Sequence, residues 1–405
     1  GFNLSEPQRL DVELTSRRWP VQIEGTPVGV LVDAAVDLEL DVVERWARGR
    51  VDLTAPVLVQ DEPYGELAIR TRLEGRTVAV DTLAAEIAEG GIAGTMRIPL
   101  DDLVSATAEI SWDGLDLAQL VRPWSDVEGI EGTMSGRITA APAQDPRAPE
   151  PLRIDLTLRP DGASWRGTTL GDGLFTLFAG PDRVLLDRSE VFIAGGRIRT
   201  WSRLSWHGDE PFVHVQTDLD HLNLDNLLRM AAPDAPHAPG RLTGRLSFGG
   251  YVFEPRRMFG SGRIEIDQSE LGDLPVISHL YGLLSLSPGG DVPTGKGFAE
   301  LRLEEYAIVI RRLEYFNRGT DLIASGRIYD IRRGPDSPVS GVAIARVRPL
   351  RDLGLPFMRD LDEMLTAMQT GGESVRIDGT VSHLEVHPVP FSEIGGFLRG
   401  LIGGN

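Results

Sequence analysis

Along most of this chain apolar and polar residues take turns. The stretches "VDLELDV" (36–42), "LAIRTRL" (67–73), "LRIDLTLRP" (152–160), "HVQTDLDHL" (214–222), "GRIEIDQ" (262–268), "FAELRLEE" (298–305) and "VRIDGTVSHLEVH" (375–387) carry apolar side chains at every second place. That period belongs to strands with one buried and one wet face. Glycine-containing breaks separate these runs, which predicts a meander of antiparallel hairpins. Helical spacing is confined to short stretches at 115–124, 224–231, 274–286, 355–368 and 391–404.

Two long units repeat. "ISWDGLDLAQLVRPWSDVEGIEGTMSGRITAA" (110–141) and "VQTDLDHLNLDNLLRMAAPDAPHAPGRLTGRLSFGG" (215–250) both run strand, short amphipathic turn, loop, two glycines four apart, Arg, strand. A looser copy runs from "IARVRPLRDLGLPFMRDL" (344–361) to "ESVRIDGTVSHLEV" (373–386). Units that cannot bury their apolar face alone bury it by stacking, so an elongated structure is expected. The repeats and the Pro/Ala/Gly-rich loops divide the chain into N-terminal β repeats (1–140), middle repeats (141–239), a third β region (240–390) and a C-terminal amphipathic helix (391–405).

A half-apolar sheet needs a second layer, and the few helical stretches are too short to supply one. Gly244, Gly262, Gly326 and Gly379 lie inside alternating runs, where glycine marks bends and close approach. The sheet is therefore expected to curve strongly, either closing on itself as a sandwich or barrel or leaving an open trough. The apolar parity consists of Leu242, Leu246, Phe248, Ile264, Ile266, Leu301, Leu303, Ile308, Ile310, Ile328, Val375 and Ile377. Both outcomes bury that same parity.

Composition narrows the function. With 41 basic and 60 acidic residues the net charge is −19, which argues against nucleic acid and against broad docking on anionic lipid heads. The chain has no cysteine, so disulfides and thiolate chemistry are excluded. No apolar run approaches the roughly 20 residues that cross a bilayer. Because the chain opens on Gly1, it reads as part of a longer protein whose anchoring or targeting segment lies outside it.

Candidate chemistry is thin. "GDVPTGKG" (290–297) has the outline of a phosphate loop, but Gly297 follows Lys296 where a hydroxyl is needed for magnesium, so no nucleotide site is expected. His383, Glu385 and His387 alternate as metal ligands can, yet Leu384 and Val386 between them make the trio the wet side of a strand. Asp218, Asp220 and His221 near Asp225 punctuate a turn into a helix, where capping is the ordinary role. No G-x-S-x-G elbow is present. The expectation is a non-catalytic protein without metal or cofactor.

From 240 to 390 the chain resembles the AsmA-like proteins of bacteria with two membranes, relatives of TamB and of the repeating β-groove lipid bridges. The resemblance rests on "GRLTGRLSFGG", "GSGRIEIDQSELGDLPVISHLYGLLSLS", "GFAELRLEEYAIVIRRLEYFNRGTDLIASGRIYDI" and "VRIDGTVSHLEVHPVP" in that order. It implies a mainly β, elongated, taco-shaped apolar groove in the periplasm, with an inner-membrane anchor ahead of this chain. It also implies phospholipid acyl chains as cargo passing between inner and outer membranes. The twelve apolar positions would line the groove. Phe391, Ile394, Phe397, Leu398, Leu401 and Ile402, at helical spacing, would plug its end or touch a membrane or partner. The alternative is a non-catalytic periplasmic scaffold that docks outer-membrane assembly proteins by strand addition, and inner- or outer-membrane proteins are the expected partners beside the lipid.

Overall fold

The computed structural model describes residues 9–22, 28–41, 46–59, 62–122, 128–145, 147–207, 210–231, 237–252, 254–269, 295–317, 320–347 and 373–389. The chain is mainly β: open antiparallel sheet with two short helices among the described residues. It divides into two compact units, Gly1–Ile193 and Ala194–Asn405.

The first unit contains β1 (Arg9–Gln22), β2 (Val28–Asp41), β3 (Trp46–Val59), β4 (Glu62–Gly75), β5 (Thr77–Ile87), β6 (Gly90–Pro99), β7 (Thr107–Asp116), α1 (Leu117–Val121), β8 (Ile130–Pro142), β9 (Leu152–Trp165), β10 (Thr168–Ala179) and β11 (Arg183–Ile193). Each strand pairs antiparallel with the next. The second unit contains β12 (Gly196–His207), β13 (Glu210–Asn223), α2 (Leu224–Ala231), β14 (Arg241–Tyr251), β15 (Glu254–Ser269), β16 (Gly295–Glu304), β17 (Ala307–Asn317), β18 (Thr320–Ile328), β19 (Val339–Val347), β20 (Glu373–Gly379) and β21 (Leu384–Pro388). Its strands pair in the same sequential way. Among the described residues no ladder closes either unit into a barrel, and substantial strand contact is with ladder neighbours alone.

Most ladders carry a register shift, for example at Trp112/Leu115, Leu219/Leu222, Ile266/Ser269 and Ile310/Leu313. Each such bulge bends its strand and adds twist, which gives the curvature expected from the glycines a second cause.

The repeated sequence units are repeated structure. Ala88 and Ala194 take left-handed φ of 48° and 51° in their turns. Their carbonyls accept the N–H groups of Asp116 and Asn223, both at 2.8 Å. Leu115 and Leu222 are buried at matching places, as are Leu117 and Leu224 at the starts of the helices. Asp116 accepts the Gln119 N–H and Asn223 the Asn226 N–H, so each helix has a side-chain cap. The helical reading of 224–231 coincides with α2. That of 115–124 is shortened, because Leu115 and Asp116 remain paired to Met134 and Thr133 in the ladder beyond the bulge.

The glycine–arginine device now has a reason. A Cβ on Gly136 would lie 2.3 Å from the Trp112 ring and one on Gly244 2.7 Å from the Arg263 carbonyl, so both positions must stay bare. On the opposite face Arg137 reaches back to Glu109 and Arg245 to Asp218, each on the preceding strand.

Candidate functional site

The candidate site is the apolar face of the sheet, built strand by strand through the ladders. The register sets all twelve predicted positions on one face of the second unit. Leu242 stands opposite Ile266, Ile264 opposite Gly244, and Leu246 and Phe248 opposite Gly262 and Gly260. Leu301 and Leu303 face the same two glycines from β16. Ile310 and Ile308 then face Leu301 and Leu303, and Ile328 faces Ile308. Val375 and Ile377 stand opposite Ala343 and Gly341, which pair with Ala324 and Gly326 of β18.

A matching row in the first unit was not singled out from the sequence. Leu53, Ile69, Leu83, Gly94, Ile110, Ile138, Leu156 and Phe175 follow one another as direct partners from β3 to β10. Its sequence signal is the alternation of "LAIRTRL" (67–73), which puts Leu67, Ile69, Thr71 and Leu73 on one parity.

Exposure distinguishes most of this face from a core. In β4 to β7 the apolar side chains Ile69, Leu83, Ile92, Met96 and Ile110 are all half-buried, while residues between them such as Arg70, Thr82, Thr95 and Glu109 are exposed. In the second unit Leu246, Phe248, Ile264, Ile266, Leu301, Leu303, Ile308, Ile310, Ile328 and Ile377 are likewise half-buried; Leu242 and Val375 are buried. Side chains in a closed sandwich would be buried throughout. Here neighbours shield one another sideways, and no second sheet covers them among the described residues.

Polar groups on this face are few. Thr200 and Thr217 bond each other at 3.1 Å. The Trp112 indole N–H is buried and has no hydrogen-bond partner among the described residues. Before β17 the opposite face is mostly charged and wet, laced by cross-strand pairs such as Arg70–Asp52 at 3.3 Å and Arg245–Asp218 at 2.6 Å. The hydrogen bond from Arg72 holds the Asp81 carboxyl below its usual range, and those from Arg197 and His221 do the same for Asp220. Exposed pairs of this kind add little stability; they fix which face meets water.

The other sequence candidates resolve into structural roles. Lys296 lies on β16 and pairs with Asp267 at 3.6 Å; 290–294 lie outside the described residues. His383 sits in the turn before β21, so it does not share a strand face with Glu385 and His387, which are 3.7 Å apart. Asp225 is buried, which alone would raise its carboxyl. The Ala238 N–H, His237 and Arg229 more than offset that and hold it below its usual range. The stretches 274–286 and 355–368 lie outside the described residues, as do Phe391, Ile394, Phe397, Leu398, Leu401 and Ile402. No family model, no curated protein and no solved structure matches this chain.

Proposed function

We propose that the apolar sheet face carries lipid acyl chains, making this chain a segment of a non-catalytic bridge that conducts phospholipid between two membranes of a bacterial envelope. The observation that supports this reading is the apolar row, half-exposed over most of its length and continued from strand to strand in each unit, with no second sheet over it among the described residues. Water on such a face is unfavourable by roughly 0.8 kcal/mol per methylene that an acyl chain would cover. A chain sliding along the row keeps that gain at each step, while its head group stays in water beyond the rim. The resemblance to AsmA-like proteins joins the proposal here and brings with it a periplasmic location and an anchor ahead of this chain. Native mass spectrometry of the 405-residue chain incubated with phospholipid tests it. Bound phospholipid is the expected result; bare protein at saturating lipid overturns it.

A second reading is a scaffold that accepts a partner strand. It is favoured by β1, a strand of 14 residues whose one ladder partner among the described residues is β2, leaving an edge that can template pairing.

A further inference from the structure

One rim of the second unit is studded with apolar side chains. The turns that end β12, β14, β16, β18 and β20 follow one another along this rim. Backbone hydrogen bonds tie them into a line: Val252 N–H to the Pro211 carbonyl, Glu305 to Met258, Ile331 to Tyr306 and Val381 to Ser337, at 2.8–3.1 Å. The turns after β14, β16, β18 and β20 each contribute a large side chain, and Trp206 stands near the end of β12. Trp206 is 40% exposed, Val252 45%, Tyr329 42%, Ile331 38% and Val381 46%, with Tyr306 half-buried between them. Because successive tips are two strands apart, they are spaced by about 10 Å.

Arginines accompany the rings. The Arg332 guanidinium lies 3.7 Å from the Tyr306 ring centre, Arg257 3.7 Å from that of Tyr251, and Arg327 5.5 Å from that of Tyr329. The same arginines pair with Asp330, Glu254 and Glu304, so the rim has mixed charge.

We infer that this rim is a membrane-interface edge that rests on a phospholipid bilayer, its side chains dipping among the head groups. Tyr and Trp rings, apolar in the body and polar at one end, belong at the boundary between hydrocarbon and water, and arginines stacked over them carry charge to the same level. The mixed charge suits a zwitterionic surface, as the net charge of −19 would disfavour an anionic one. A protein partner fits less well. Single side chains strung along a line make no central packed cluster of the kind that anchors protein interfaces, and turn ends offer no unpaired strand edge. The inference deepens the groove reading and rests on it for its purpose: a rim lying on the bilayer lets an acyl chain pass sideways from the leaflet onto the apolar face.

The test is flotation of the full chain with phosphatidylcholine vesicles, comparing wild type with the triple variant Val252→Ser, Ile331→Ser, Val381→Ser. All three sites are exposed, so circular dichroism should show an unchanged fold. Wild type is expected to float with vesicles and the triple variant to partition at least about ten-fold less, since seven to ten methylene equivalents leave the interface. Equal flotation of both proteins, no flotation of wild type, or a protein partner captured at this rim by chain that does not float would each overturn the inference. Native mass spectrometry of the triple variant separates the two readings. Phospholipid should still be bound in the groove when rim contact is lost, whereas a wild type without bound phospholipid points to failure of the groove itself.

Discussion

Strands β4–β7 and strands β18–β20 use their apolar residues differently. In β4–β7 the apolar face is mostly half-buried and the other mostly exposed, with Ala79 and Val80 in β5 and Leu115 in β7 the buried residues. In β18–β20 both faces are buried: Leu322, Ala343 and Val375 on the face of the apolar row, and Val342, Ile344 and Ser374 on the other, each at 6% exposure or less. The contrast teaches that strands paired in the same sequential antiparallel way can be core in one unit and half-exposed surface in the other.

The largest expected effect comes from breaking the covered region. Val342→Glu puts a carboxylate where the native side chain is 1% exposed. An unpaired buried charge costs several kcal/mol, against a typical net stability of about 5–15 kcal/mol. Urea denaturation followed by circular dichroism should show an unfolded or severely destabilised protein.

Next come the two repeat copies, which sharpen the comparison because they sit at equivalent places. Leu115→Ala and Leu222→Ala should each cost about 2–4 kcal/mol, since both leucines are at most 4% exposed. Similar losses at the two sites, read from denaturation midpoints, are the expected outcome. A large loss at one site alone would break the structural equivalence.

The double change Ile266→Glu, Ile310→Glu carries the comparison to the open face. Both side chains are half-buried and their carboxylates can reach water, so a loss of about 1–2 kcal/mol per site is expected with the fold retained. Binding of a fluorescent phospholipid should nevertheless fall sharply, because each acyl chain must displace water from a charge.

Asp225→Ala removes the acceptor of the Ala238 N–H, a group otherwise buried, at a cost of about 1–3 kcal/mol near neutral pH. The native carboxyl is held below its usual range. Its contribution is therefore present above the unfolded value of about 3.9 and is lost as pH falls through the lower folded value. Denaturation curves of the two proteins should converge in acid. Smallest of all is Arg245→Ala, a change at an exposed cross-strand pair that should leave the unfolding midpoint where it was.

Much of this was legible in the sequence. Alternation alone put Ile264, Ile266, Ile308 and Ile310 on one parity, and the ladders then set them on one face. The two copies of the glycine–arginine unit announced the repeated hairpins. What the sequence withheld depends on partners across strands. The turn position of His383 is set by where β20 and β21 stop pairing. The strand conformation of Leu115 and Asp116 is imposed by β8, against a helical spacing. The line of turn tips joins residues from Trp206 to Val381 that only the meander brings together. Burial of both faces of β19 had a trace, the unbroken run "GVAIA" (341–345), which is how a strand covered on both sides reads.

The central claim, that acyl chains run along one face of the sheet, is tested most directly by site-specific photo-crosslinking at adjacent residues of opposite parity. A photoreactive phenylalanine derivative at Ile266, and separately at Glu265, places the same probe on the apolar and the charged face of one strand; Ile69 and Arg70 do the same in the first unit. The account predicts phospholipid crosslinked at Ile266 and Ile69 and absent at Glu265 and Arg70. Equal crosslinking at all four positions, or none at any, would contradict it.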